Sequence, residues 1–245
     1  MNARRWAPRL APRCQRGASS VEFFVTFAVA ILMIMAILQM GMFMVAKNAV
    51  NLATFAAARA GAASGGDHEQ MKRAFAKALS GLYVAKGLGL AKGEGLTDIT
   101  SGNFTVVMAG ATAYSYALAS APTDQMTILN PRRAAFADFG VPDPDGKGRI
   151  IPATGLAADT AVGASSRQTR ADALLLKVEV RHCYEMFFPM YEVISGVVVN
   201  AISRTLLQHS GGLSNAERAC YTYGVPVVSQ AVVRMTAPAV EANFE

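Results

Sequence analysis

Charge is scarce in this chain: 16% of its 245 residues are Asp, Glu, Lys or Arg, while 52% are hydrophobic. Disordered chains show the opposite balance, so that class is excluded. Cysteine is scarce too, with three in all, which excludes a small disulfide-stapled scaffold. Acid is missing altogether from residues 1–17, where Arg4, Arg5, Arg9, Arg13 and Arg16 stand unopposed. Those five arginines carry nearly all of the net charge of +6. The remaining chain is close to neutral and offers no electrostatic footprint for nucleic acid.

Catalytic and metal-binding patterns are lacking as well. His68, His182 and His209 are scattered, with no HExxH and no Cys/His zinc spacing around them. Each reads as a structural or solvated histidine. His182 and Cys183 adjoin in an extended stretch, where neighbouring side chains point to opposite faces and do not converge. Gly87-x-Gly89 lacks the third glycine of a dinucleotide turn, since Lys92 stands there. Asp143 and Asp145 lie in a stretch, GVPDPDGKG, that matches neither a P-loop nor a calcium loop and reads as a plain turn. The sequence therefore points away from an enzyme, and to no cofactor, metal or small-molecule substrate.

What the chain does have is a long apolar run. Residues 23–46 are 24 residues without a charge. At ~1.5 Å per residue they span ~36 Å, enough to cross a hydrocarbon core of ~30 Å. Lys47 and Arg59 are the nearest cations beyond the run, against five before it. The positive-inside rule puts the N-terminus in the cytoplasm and the C-terminal body outside it. The run exceeds the ~7–15 residues of a signal-peptide core. Beyond it, an alanine-rich stretch without proline continues the helix to about residue 63, where Gly65-Gly66 stops it. One helix over 19–63 would be ~68 Å long.

The junction before the run is distinctive. Gly17 ends the basic leader, Ala18-Ser19-Ser20-Val21 come next, and then Glu22 and Phe23. This order resembles the processing site of type IV prepilins. The resemblance implies cleavage by a prepilin peptidase between Gly17 and Ala18, making Glu22 the fifth residue of the mature chain. Glu22, beside Phe23, would then pair with the N-terminal ammonium of a neighbouring subunit. A lone carboxylate in an apolar bundle is costly unless it is paired; alone, it would simply favour the positive end of a helix.

RGASSVEF, the apolar run and the Ala/Asn/Arg extension together resemble the TadE-like family, pseudopilins of the tight-adherence (Tad/Flp, type IVb) pilus machinery. Phe23 stands where that family often has Tyr, keeping the ring without the hydroxyl. LNPRRAAFADFG, LLLKVEVRHCYEMFFP and RACYTYGVPVVSQAVVRMTAPA look like the body of longer members. The resemblance implies a minor pseudopilin that helps assemble an adhesive pilus. Its partners would be the prepilin peptidase, other minor and major pilins, and the bilayer. It would sit in the bacterial inner membrane as a single-pass protein, its body periplasmic or in an extracellular pilus. The readings set against it are a single-span envelope protein with a periplasmic interaction domain, and a secreted enzyme.

The fold expected is α+β: a leader over 1–17, a transmembrane spine helix over 18–63, and an exported domain over 64–245 with a mainly antiparallel sheet. In that domain a helix is expected over 67–86, with Met71, Phe75, Leu79 and Leu82 on one face. Strands are expected over 104–108, 125–129, 174–184 and 225–236. A glycine-rich loop covers 87–102, a turn-rich stretch 136–152, and a small polar loop 154–170. An amphipathic helix over 189–208 would cover the sheet formed by the last two strands. Cys14 lies in the leader, on the reducing side, whereas Cys183 and Cys220 share the exported body. That even pair is a disulfide candidate, the other reading being two buried thiols.

Overall fold

A computed structural model describes residues 18–85, 102–121, 124–144, 146, 148–155, 160–185, 220 and 224–244. The expected helix over 189–208 and the loop over 87–101 lie outside them. The chain divides into two compact units, one ending at Met42 and the other beginning at Phe43.

Helix α1 (Ala18–Ala63) is unbroken across 46 residues, as its Ala, Leu, Met and Phe content and lack of proline favour. In the first unit its side chains are mostly exposed. Phe23, Phe24 and Ile37 are 61%, 71% and 70% accessible. A soluble core helix would bury such a stretch; here its most apolar part is not buried at all. Among the described residues, Val21–Ala63 is the one helix long and apolar enough to cross a membrane. It is suited to single-pass anchoring.

In the second unit α1 buries a stripe of small residues, Ala46, Val50, Ala53, Ala57, Ala58 and Ala62. Apart from the adjacent Ala57 and Ala58, their spacing of three and four follows one helical face. Gly61 permits the close packing there, because a Cβ would fall 2.6 Å from Met71 Sδ and 2.9 Å from Leu176 Cδ2. The helix ends at Gly65, in the left-handed region at φ 71°, with the Gly66 amide donating to the Gly61 carbonyl at 2.8 Å. This is the glycine stop anticipated from the sequence.

Helix α2 (His68–Leu79) starts at Asp67, whose carboxylate accepts from the amides of Glu69 and Gln70 at 2.9 and 3.3 Å. The expected helix thus ends earlier as an α-helix and tightens into a 3₁₀ turn, Ser80–Tyr83. Met71, Phe75 and Leu79 are buried, and Leu82 packs against the same core. Helix α3 (Phe104–Ala119) packs against α2. It replaces the strand expected over 104–108. The β-branched opening, Phe104-Thr105-Val106-Val107, looks extended, but Val107, Ala111, Ser115 and Ala119 are buried at intervals of four. Packing on α2 overrides the local β preference.

Strand β1 (Gln125–Asn130) leads into helix α4 (Arg133–Phe139). The first part of the turn-rich stretch is therefore helical, because Ala135 and Phe136 have a core to enter. Strands β2 (Val141–Pro142) and β3 (Arg149–Ile151) form a small hairpin. Asp143 belongs to its turn, its amide donating to the Gly148 carbonyl at 2.9 Å. Helix α5 (Arg170–Ala173) precedes β4 (Leu175–Glu185), and β5 (Gly224–Arg234) and β6 (Ala239–Val240) come after it.

The main sheet has the order β1-β4-β5 and is antiparallel throughout. β4 and β5 pair over their whole length, from Leu175↔Arg234 to Glu185↔Gly224. The two long strands thus share one sheet, as their alternation predicted. Leu176, Val178, Val180 and His182 face inward, while Lys177, Glu179 and Arg181 alternate with them on the more exposed side. Leu176, Val178 and Val180 join one apolar cluster with α1, Met71, Phe75, Leu79 and Phe136. Each large side chain so buried stabilises by ~1.5–3 kcal/mol relative to exposure. A second sheet, β2-β3-β6, lies beside a 3₁₀ turn at Glu241–Phe244.

Candidate functional site

The N-terminal candidates fall at the start of α1. Gly17 lies outside the described residues, and Ala18 is the first residue of the helix. Glu22 is exposed on the helical surface one turn inside it. Thr26 turns its hydroxyl back to the Glu22 carbonyl, a local bond that leaves the carboxylate untouched. Among the described residues that carboxylate has no hydrogen bond or ion pair. Val21, Val25 and Val29 recur every fourth residue beside it and form an apolar shelf. Phe23 stacks on Phe27 with ring centroids 5.5 Å apart. Among the described residues, the arrangement is a single negative charge at the head of an apolar surface.

The cysteine candidates do converge. Cys183 of β4 is bonded to Cys220, with Cα atoms 5.7 Å apart and a sequence separation of 37. In the loop-entropy picture such a closure contributes up to ~4 kcal/mol. Cys14 lies outside the described residues. His182 and Cys183 do not act together: the imidazole and the sulfur have separate partners.

The partners of His182 escaped the sequence. His182 Nδ1 meets Asp124 Oδ2, and Nε2 lies 2.7 Å from the Tyr83 hydroxyl. Asp124 Oδ1 also accepts from the Cys183 amide at 2.8 Å. All three side chains are buried. The carboxylate fixes the tautomer, so that Nδ1–H donates to Asp124 and Nε2 accepts from the phenol. Burial, reinforced by the carboxylates of Asp124 and Glu185, pushes the Tyr83 phenol well above its ordinary value. Tyr83 therefore remains a donor. The chain of bonds ties the turn after α2, the entry to β1 and the end of β4 into one satisfied polar core. Its phase gave one clue: His182 falls on the apolar face of its strand, where a polar ring must find a partner. Asp124 had no pattern around it to mark it out.

Other titratable groups have local duties. His68, half-buried on α2, has a lowered pKa because burial disfavours its charged form. Asp138 of α4 accepts from the amides of Ser165 and Ser166, at 3.0 and 2.7 Å to Oδ2. Among the described residues, no group of three or more His, Cys, Asp or Glu side chains could hold a metal ion.

No curated protein and no solved structure matches the chain. Residues 17–59, which include Glu22, Phe23 and most of α1, match the model of the family described as TadE-like protein.

Proposed function

We propose that this chain is a membrane-anchored minor pseudopilin that serves in assembling a Tad-type adhesive pilus. One observation carries the reading: a basic leader, Gly17, Glu22 five positions on, and an uncharged apolar helix come in that order, the last three inside the TadE-like stretch. In this reading residues 1–17 are a cytoplasmic leader, 18–63 a spine helix and 64–245 an exported domain. A prepilin peptidase cuts between Gly17 and Ala18. Removal of five arginines takes away the strongest cytoplasmic retention signal of the anchor. It also creates an ammonium at Ala18, which needs a counter-charge once packed among apolar helices. Glu22 is the one acid before Asp67, so each subunit brings one partner for a neighbour's N-terminus.

The chain acts structurally, through other pilins and the inner membrane, with the body periplasmic or carried in the pilus. The Cys183–Cys220 bond is consistent with that compartment. Intact-mass measurement of the native membrane protein tests the reading. Cells holding a prepilin peptidase should yield a chain lacking its first 17 residues, and Gly17→Arg should leave it full length. Retention of Met1–Gly17 in the wild type under those conditions would sink it.

A further inference from the structure

A polar groove lies on the outer side of the main sheet, in the second unit, with a volume of about 560 Å³. Leu129, Leu175 and Val232 supply apolar contacts, and Arg132 and Lys177, with the single carboxylate of Asp172, supply charge. Hydroxyl and amide groups of Ser165, Ser166 and Gln168 close one side.

The charges of this groove are unbalanced in a specific way. Among the described residues, each carboxylate around it is already bound by its own neighbours. Glu179, on the same face of β4 as Lys177, gives one oxygen to Arg181 Nε at 3.0 Å and the other to Gln230 Nε2 at 2.6 Å. Asp172 accepts from the Thr169 hydroxyl at 2.7 Å and from its amide at 3.4 Å, as the cap of α5. Asp138 is taken by the amides of Ser165 and Ser166. The side chains of Arg132 and Lys177 have no ion pair and no hydrogen bond among the described residues. Two cations held over an apolar floor, with the local acids engaged elsewhere, match a ligand that is acidic and apolar by turns. An extended peptide has that chemistry, because alternate side chains fall on one face.

We propose that this groove docks an extended segment of a partner protein in which an acidic residue is flanked by apolar ones. The acid meets Arg132 and Lys177, and an adjacent apolar side chain rests on Leu129, Leu175 and Val232. Arg132 suits a planar carboxylate, which it can bind through two donors. The inference is independent of the pilus reading, and its failure leaves N-terminal processing untouched.

The test uses the full chain in neutral lipid nanodiscs and a rhodamine-labelled Val-Glu-Leu-Glu-Val amide, monitored by fluorescence anisotropy. The acidic peptide should bind saturably and weaken as salt rises. Its Gln-for-Glu counterpart should bind roughly five- to tenfold more weakly, the loss of one or two partly exposed ion pairs. Arg132→Gln and Lys177→Gln should each reproduce a several-fold part of that loss. Lys77→Gln, a cation on exposed α2 surface, should change nothing. All three changes are at solvent-reaching side chains, and an unchanged circular dichroism spectrum separates binding loss from unfolding. Equal binding of the acidic and neutral peptides would overturn the proposal, as would loss of binding in Lys77→Gln alone. Equal competition by free glutamate, or stronger competition by an oligoglucuronate, would overturn the peptide assignment in favour of a small carboxylate or a glycan.

Discussion

Asp124 divides one carboxylate between an imidazole and a backbone amide, and both recipients are buried. Removing it strands two donors at once, and each unsatisfied buried donor costs ~1–3 kcal/mol. Asp124→Ala should therefore lower the unfolding free energy of the body by ~2–4 kcal/mol, whereas Asp124→Asn, which keeps one acceptor oxygen, should lose less. Urea titration of the full chain in detergent, with the disulfide intact, measures both. If the two variants unfold within ~0.5 kcal/mol of wild type, the network is decoration and not a tie. At this scale the sequence was unevenly legible. The disulfide could be read because only two cysteines lie beyond the leader. Glu22 draws notice because it stands alone before a charge-free run, and its role belongs to the proposal above. The Asp124–His182–Tyr83 network could not be read, because its members are 58 and 99 residues apart from His182 and share no spacing rule.

Elements whose periodicity runs over many residues were found close to their true limits. The long strands were expected over 174–184 and 225–236 and lie at Leu175–Glu185 and Gly224–Arg234. Alternation fixes them because each has one face to bury. Short elements that owe their form to a neighbour were missed. α3 is helical because α2 packs on its alanine-rich face, and α4 because Phe136 is buried in the core. The turn at 163–168 is another such case, organised from outside by Asp138 on α4. The Ser166 amide and hydroxyl, and after them those of Ser165, hold the Asp138 carboxyl below its ordinary value. A depressed carboxylate contributes stability that is present above the unfolded value of ~3.9 and is lost as pH falls through the folded one. The turn should thus remain docked near neutrality and release in acid below about pH 4. Nuclear magnetic resonance of the Ser165 and Ser166 amides between about pH 6 and pH 2 checks this. Amide shifts that stay constant across the range would show that something other than the Asp138 charge holds the turn. The same two serines line the peptide groove, so the groove should loosen over the same interval.

For the whole molecule, the decisive question is whether Glu22 acts in anchoring or in assembly. Glu22→Ala removes a charge at the lipid edge and should leave membrane extraction behaviour unchanged. It should reduce recovery of partner pilins in crosslinked membranes by roughly tenfold, as expected when a buried ammonium loses a counter-charge worth ~1.4 kcal/mol or more. Normal recovery would leave the carboxylate with only a helix-dipole role. The body has a separate consequence, which lies in its closure. The last carbonyls of α1 take their partners from distant residues as well as from the adjoining turn. Ala62 O accepts from the amides of Thr236 and Ala237, at 3.0 and 3.1 Å, and Gly65 O from the Val240 amide and the Asn243 side chain. Phe244 lays its ring beside Gly66 and against Phe136. Thr236 is made 174 residues after Ala62. The helix thus leaves the ribosome ahead of every strand of the body, yet its end is completed after them. Translation must pass Asn243 before the end of α1 acquires these partners, so a body nascent only as far as β5 still lacks them.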